Sequence, residues 1–435
     1  AKHQTIALWP ATNPGGRRVS RHTISRFDAA WELLVAAFIG ADVPAAERDA
    51  AWKELCTREV GQRAADLVAT DSATAAAVNA FARARREGWL SDSVPLPSLA
   101  EVLYTLDHVR AALRALRTDP PESDLSHAVS NGLAALPCLM GHWVNDVPFV
   151  VSEHGVYLRE RLLLFDARRT SAAARLLLHG LGREISTVVY RHATVLAPGN
   201  VYNRRWQVYL GAPEDRILTA YNGVDPSQFD VAPEPEAPTL VFVGRIDPIK
   251  DVETLLRAHA LVLKQIPEAV LRIFGATPRG GEAYQARCEA LARELEIDGR
   301  VIFEGRVESV LDAYHAAQVV VLPSISEGFP YTVLEAMCTG RTVVATHVGG
   351  TAEAIGDAGL VVPPRDPVAM ADACVLLLRE HEKRRHLGRA ARERVLAHFT
   401  TETATARIRE IYEVATARPS HPDQQADNHP VGDSA

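Results

Sequence analysis

From about residue 239 to 380, short β-branched runs alternate regularly with amphipathic stretches. The runs TLVFVG (239–244), VLRIFG (270–275), RVIFEG (300–305), QVVVLP (318–323), TVVAT (342–346) and LVV (360–362) are nearly continuous in apolar residues, as strands buried on both faces are. VETLLRAHALVLKQI, EAYQARCEALAREL, VLDAYHAA, YTVLEAM and PVAMADACVLLLRE carry the helical period between and after them. This alternation predicts a parallel, doubly wound α/β sheet. Helical patterns over 384–398 and 402–416 follow, and residues 418–435 lack periodicity and read as a disordered tail.

The first half has a different texture. Residues 25–118 are rich in Ala, Leu and Arg and read as helix almost throughout. Strand patterns return at HAVS (127–130), PFVVSEHG (148–155), ATVLAP (193–198) and ILTAYNG (217–223), with helices between them. The Pro-rich APEPEAP (232–238) reads as a linker. The expected organisation is a first domain over 1–231 with a helical insertion at 25–118, the linker 232–238, and a second domain over 239–400. A closing helix at 401–417 and the tail 418–435 complete it. So few strands among so much helix leave the first domain short of a core. Either it is mostly helical or its opening strands are absent from this chain.

Composition narrows the class. A chain of 435 residues is too long for one compact core. The net charge of −7, with no basic block, argues against nucleic-acid binding. Five scattered cysteines without a CxxC pair suit a reducing compartment and give no support for a zinc site. The longest apolar run, LLVAAFIGA at 33–41, is about half of the ~18 residues that a membrane span needs. No signal-peptide pattern opens the chain, and cytoplasmic is the default expectation.

In an open α/β sheet, ligands meet the carboxyl ends of the strands and the helix N-termini beyond them. Three turns fall there. In Gly244-Arg245-Ile246-Asp247-Pro248-Ile249-Lys250-Asp251, two cations sit just before a helix that Asp251 can cap. That is the unfavourable end of the helix dipole for a cation unless an anion lies between them. Taken alone, two solvated loop charges is the commoner explanation. In Ser326-Glu327-Gly328-Phe329-Pro330-Tyr331-Thr332-Val333-Leu334-Glu335, a loop acid precedes a helix that Pro330 opens, and Glu335 follows on that helix. The free amides at Gly328, Phe329 and the first turn would cradle an anion, flanked by two hydroxyl-accepting carboxylates. A capping acid and an exposed helix acid are the equally simple alternative. Thr346-His347-Val348-Gly349-Gly350-Thr351-Ala352-Glu353 is a third such turn, and a tight turn alone would explain it. Together, cations, glycines and carboxylates on the turns of one sheet suit a diphosphate joined to two polyhydroxylated rings, as in a nucleotide sugar.

These residues resemble the GT-B retaining glycosyltransferases of family 4. GRIDPIKD is similar to that family's Arg/Lys diphosphate clamp, and EGFPYTVLE to its E-x7-E motif. SEHGVYLRER (152–161), GNVYNRRW (199–206) and YNGVDPSQF (221–229) bring it nearest the Pel exopolysaccharide branch, in the right order across roughly 126–363. The resemblance implies two Rossmann-like domains facing across a cleft, the first helix-rich. It implies Arg245 and Lys250 on the diphosphate, the backbone of Gly328, Phe329 and Pro330 along sugar and phosphate, Glu327 at the donor sugar and Glu335 at the ribose. Glu327, His154, Arg245 and Lys250 would form the catalytic set, with His154 facing the sugar; a lone His after a strand is otherwise more often a core residue. Asn222-Gly223-Val224-Asp225 resembles the loop leading to the interdomain hinge.

The family usually opens with a strand and a Gly-rich loop. TIALWP and Asn13-Pro14-Gly15-Gly16-Arg17-Arg18 resemble these only superficially, so the expectation is that the opening strand is missing and the acceptor side incomplete. The implied activity is retaining transfer from an NDP-sugar, a UDP-sugar by preference, to a sugar or lipid-linked acceptor. No cofactor and no metal is expected, since no DxD-like pair ends a strand. The expected setting is exopolysaccharide synthesis, cytoplasmic or peripheral to the inner membrane face, beside a membrane-bound polysaccharide machinery. Two rivals are a nucleotide-sugar epimerase or hydrolase of the same fold, and a non-catalytic donor-binding subunit. A nicotinamide dehydrogenase is disfavoured because no strand leads into GxGxxG.

Overall fold

The structure, a computed structural model, describes residues 19–164 and 171–417. The Gly-rich stretch at 13–18, the run TIALWP and the tail at 418–435 lie outside the described residues. The chain divides into two compact units, residues 19–198, 204–218 and 409–417 in one, and Gly199–Asn203 with Thr219–Ile408 in the other.

The first unit opens with five helices, α1 (Arg21–Ile39), α2 (Ala45–Leu55), α3 (Arg58–Leu67), α4 (Asp71–Arg86) and α5 (Leu99–Leu113). Local signals set their ends. Ser20 caps α1 through Thr23 N–H and Gly40 closes it at φ 109°, while Ser98 and Glu101 form a capping box on α5. The apolar stripe Phe27, Trp31, Leu34, Phe38 of α1 is fully buried, and Trp31 donates to the Ala73 carbonyl at 3.0 Å. Then come β1 (Ser126–Ala128), α6 (Leu136–Asn145), β2 (Phe149–Glu153), α7 (Tyr157–Leu164), α8 (Ala172–His192), β3 (Val195–Pro198) and α9 (Val201–Tyr209), of which Val201–Asn203 belong to the second unit. α8 crosses α1 so closely that a Cβ on Gly180 would sit 1.8 Å from the Phe38 carbonyl oxygen. Among the described residues this unit's sheet is parallel, in the order β1-β2-β3.

ILTAYNG does not form a strand. Ile217 makes one isolated bridge to Leu196, and Leu218 N–H bonds the Leu196 carbonyl. Beyond that point the chain belongs to the second unit, where the Tyr221 ring packs 4.9 Å from Phe329 and 5.4 Å from Phe399. Residues 219–231, expected with the first domain, are therefore part of the second.

The second unit alternates β4 (Thr239–Val243), α10 (Val252–Leu263), β5 (Val270–Phe274), α11 (Glu282–Glu294), β6 (Val301–Gly305), α12 (Val310–His315), β7 (Val319–Leu322), α13 (Tyr331–Cys338), β8 (Thr342–Thr346), α14 (Thr351–Ile355) and β9 (Leu360–Val362). Helices α15 (Pro367–Arg379), α16 (His381–His398) and α17 (Thr401–Ala417) follow, the residues of α17 from Arg409 on belonging to the first unit. All strands are parallel, in the order β6-β5-β4-β7-β8-β9. The order reverses between β4 and β7, and this switch point is where such sheets open a crevice at their carboxyl ends.

The Pro-rich stretch 232–238 is a bound strap. Arg384, 1% exposed, clasps Glu234 at 2.7 Å, Gln318 donates to the Pro235 carbonyl at 2.8 Å, and Arg341 to the Pro233 carbonyl at 3.0 Å. Prolines leave these carbonyls free of local partners, so buried cations and amides of the second unit use them.

Candidate functional site

At the switch point the β4 and β7 turns meet. Asp247, 8% exposed, accepts from the N–H groups of Ile249 and Lys250 and folds the turn after β4. The Ile249 carbonyl takes the N–H of Ile325 from the turn after β7. Lys250 Nζ thereby reaches Glu327 Oε1 at 2.6 Å, with both side chains mostly buried. Asp251 holds φ 50° and caps α10 through Thr254, as its position before a helix suggested. Arg245 is 66% exposed and pairs with Asp247 at 3.0 Å.

The loop between Glu327 and α13 is held by its carbonyls. Gly328 O accepts from Gly350 N at 2.7 Å and Asn200 Nδ2 at 3.1 Å, and Phe329 O accepts from Asn222 Nδ2 at 3.0 Å. In a trans peptide the next N–H points away from the carbonyl, so the Phe329 N–H faces opposite these anchors. The Phe329 ring, 4% exposed, stacks among Tyr221 and Phe399, which leaves its backbone as the part a ligand could use. Pro330 stands at the N-cap of α13 and not at its first position, with a ψ of 118° that turns the chain into the helix. In the first turn of α13 the Val333 N–H bonds the Pro330 carbonyl at 3.1 Å, and the N–H groups of Tyr331 and Thr332 precede it.

The paired glycines after β8 back this loop. Gly349 has φ 54°, and a Cβ there would lie 1.9 Å from the Glu327 carbonyl oxygen; one on Gly350 would lie 2.7 Å from Phe329. Only glycine lets the two turns touch. Glu353, in the first turn of α14, accepts from the N–H groups of Val201 and Tyr202, both at 2.7 Å, and from Tyr221 Oη at 3.3 Å. Burial and the Glu353 charge push the Tyr221 hydroxyl up to about 12.

Glu335 is engaged apart from this cluster. It accepts from Tyr314 Oη at 2.5 Å, and burial raises its pKa above the ordinary carboxylate value although that bond opposes the rise. His154 belongs to the first unit, exposed immediately after β2. The residue before it, Glu153, is 1% exposed and accepts from Tyr190 Oη at 2.6 Å, Gln207 Nε2 at 2.8 Å and Tyr157 N at 3.0 Å. Burial, aided by Glu160, raises the Glu153 pKa against those three bonds. The structure thus joins Lys250, Glu327 and the Gly328–Pro330 backbone, and pairs Arg245 and Glu335 with Asp247 and Tyr314 instead. Sequence reading gave no binding role to Asp247, Tyr314, Asn200, Glu353 or Glu153, although Asp247 and Glu353 stand in turns it singled out. An acid in the first turn of α14, just past paired glycines, was the one legible hint.

A parallel sheet with its polar turns converging at the switch point is the arrangement in which doubly wound α/β domains bind their ligands. Residues 237–380 match the family model described as Glycosyl transferases group 1, and residues 4–215 match one described as Domain of unknown function (DUF3492). The D-inositol 3-phosphate glycosyltransferase of Corynebacterium urealyticum is 34% identical over 203 residues, 45% of this chain and 47% of that protein. Its counterpart in Corynebacterium diphtheriae is 36% identical over 178 residues, 40% and 42% of the two chains. The chain thus spans about half the length of the curated relatives it matches. Sucrose-phosphate synthase of Thermosynechococcus elongatus superposes with a TM-score of 0.55 at 25% identity, over 67% of this chain and 73% of that one. HepE of Anabaena in complex with UDP-glucose gives 0.56 at 16% identity, over 84% and 96%. The fold is that of the GT-B glycosyltransferases, and residues 237–380 of the second unit match the group 1 model.

Proposed function

We propose that this chain transfers a glycosyl unit, with retention, from a UDP-sugar to a sugar or lipid-linked acceptor hydroxyl in exopolysaccharide synthesis, in the manner of the Pel branch. The observation that carries the reading is the Lys250–Glu327 pair at the switch point, beside a loop whose carbonyls are tied back. Lys250 and the flexible Arg245 meet the diphosphate and take up charge as the leaving group departs, with the Phe329 N–H and the first turn of α13 adding fixed dipoles. Glu327 orients Lys250 and accepts a hydroxyl of the donor sugar. Glu335, set by Tyr314, takes the ribose. His154 keeps the role of facing the sugar. The match to a group 1 domain and the UDP-glucose carried by HepE of Anabaena support the donor class.

Metal independence belongs to the same proposal and predicts turnover unchanged by EDTA. So does a cytoplasmic setting at the inner membrane face beside a membrane-bound polysaccharide machinery; among the described residues no helix is long and apolar enough to cross a membrane. The test is Arg245→Ala with Lys250→Ala. Sugar transfer by the folded fraction should fall at least about 100-fold, the scale of losing preorganised charge at a leaving group. Normal turnover in the double variant would overturn the assignment. UDP release that needs no acceptor would instead mark a hydrolase or epimerase, and UDP binding without any turnover a donor-binding subunit.

A further inference from the structure

A second concave site lies in the second unit, at the opposite ends of its strands from the switch-point turns. Arg341 immediately precedes β8 and the strap residue Glu234 precedes β4, so both stand at the amino ends of the strands. Between the strap and α16 they border a pocket of about 540 Å³. Four arginines line it, Arg341, Arg385, Arg389 and Arg392. Of its two acids, Glu234 is already neutralised by Arg384, which leaves Glu393 against four guanidinium groups in a chain of net charge −7.

The guanidinium groups are not equivalent. Arg341 is 3% exposed and is satisfied by carbonyls alone, those of Tyr314, Pro233 and His315. No carboxylate bonds it among the described residues, and burial holds it below its ordinary value. Arg392 likewise donates to the carbonyls of Phe229 and Cys338. Charges held in this way are fixed before any ligand arrives. Arg385, in an exposed ion pair with Glu382 at 3.8 Å, and Arg389 both stand exposed on α16 and can move onto an anion. Fixed and mobile forks around one cavity match the several oxygens of a phosphate. Val231 and Leu396, 57% and 44% exposed, add an apolar wall beside the charge.

We propose that this pocket binds a phosphate monoester carrying an apolar substituent. The source is a soluble phosphorylated metabolite or an anionic lipid headgroup. The site does not depend on the glycosyltransferase reading, since its residues lie at the opposite ends of the strands from Lys250 and Glu327.

The experiment is calorimetric titration of the purified chain with inorganic phosphate and hexyl phosphate, with a flotation arm on vesicles of phosphatidic acid in phosphatidylcholine. Three variants accompany it: Arg385→Ala with Arg389→Ala, Arg389→Glu alone, and Lys250→Ala. Saturable binding of hexyl phosphate, tighter than inorganic phosphate, should weaken at least tenfold in both α16 variants and persist in Lys250→Ala. Vesicle binding with no soluble binding, lost in the α16 variants, supports the site with a lipid as its source. Binding lost in Lys250→Ala but kept in the α16 variants overturns it, because the phosphate then sits at the switch point. Absence of binding in every arm overturns it as well. Circular dichroism of the α16 variants, whose substituted side chains are exposed, checks that the fold is retained.

Discussion

Each unit ends a central strand or its following turn in an acidic side chain, and the two acids are treated differently. Glu153, directly at the end of β2, is enclosed and spends its oxygens on Tyr190, Gln207 and Tyr157. Glu327, in the turn after β7, pairs with one flexible lysine, and both side chains keep some exposure, 11% and 16%. A carboxylate surrounded by fixed donors builds structure. One facing a lysine on a long stem can share that lysine with an incoming anion. Position at a strand end does not by itself distinguish the two acids; the kind of partner each one has does.

The sharpest way to break this comparison is to remove the backing of the open acid. Gly349→Val places a branched side chain where a Cβ already falls 1.9 Å from the Glu327 carbonyl oxygen, at a positive φ. Overpacking plus left-handed strain predicts a stability loss of about 4 kcal/mol and loss of UDP binding, read by chemical denaturation and calorimetry. If the variant folds and binds UDP normally, the turn contact does not hold the loop.

Next in size is a matched pair. Glu153→Ala orphans three buried donors and should cost about 3 kcal/mol. Glu327→Ala strands the mostly buried Lys250 ammonium and should also cost about 3 kcal/mol, while reducing transfer far more than Glu153→Ala does in the fraction that remains folded. Equal transfer by the folded fractions of the two variants would erase the distinction between closed and open acids.

The smallest effect is in pH. Because burial raises Glu153 in the folded state, folding holds its proton more tightly than the unfolded chain does. Its contribution is therefore full below the ordinary value of 4.5 and declines as pH rises through the raised one. Glu153→Gln removes this titration, so its stability should fall less steeply than the wild type's as pH rises above 4.5, after subtraction of the Glu335 term common to both. Identical slopes in thermal melts would show that Glu153 ionises in the folded state as freely as in the unfolded chain.

Legibility followed locality. The second sheet could be read strand by strand, because its buried strands are short continuous apolar runs. Lys250 and Glu327 could be picked because each lies in a turn whose breakers and caps are within a few residues. Glu353 and Asn200 escaped because their partners are 152 and 128 residues distant in the chain, and nothing local to Val201 announces an acid waiting for its amide. ILTAYNG misled through its β-branched start; Tyr221 and Asn222 serve packing and a hydrogen bond to Phe329 that no period reveals. The strap misled through its prolines, which mark a linker as readily as a row of carbonyls for Arg341 and Arg384. Glu335 was placed on its helix correctly, but Tyr314, its partner, sits in a stretch with no motif.

The chain passes between its two units four times, at 198/199, 203/204, 218/219 and 408/409. Within the first unit, His127 Nδ1 meets Tyr412 Oη at 2.7 Å, 285 residues further on. During synthesis, therefore, the earlier half leaves the ribosome without its last piece and must wait for the whole second unit to be made. Conversely, Gly199–Asn203 emerges long before Glu353, the acid that caps it. No contiguous fragment reproduces either unit, so a truncation at the Pro-rich strap would sever a fold and not free a domain.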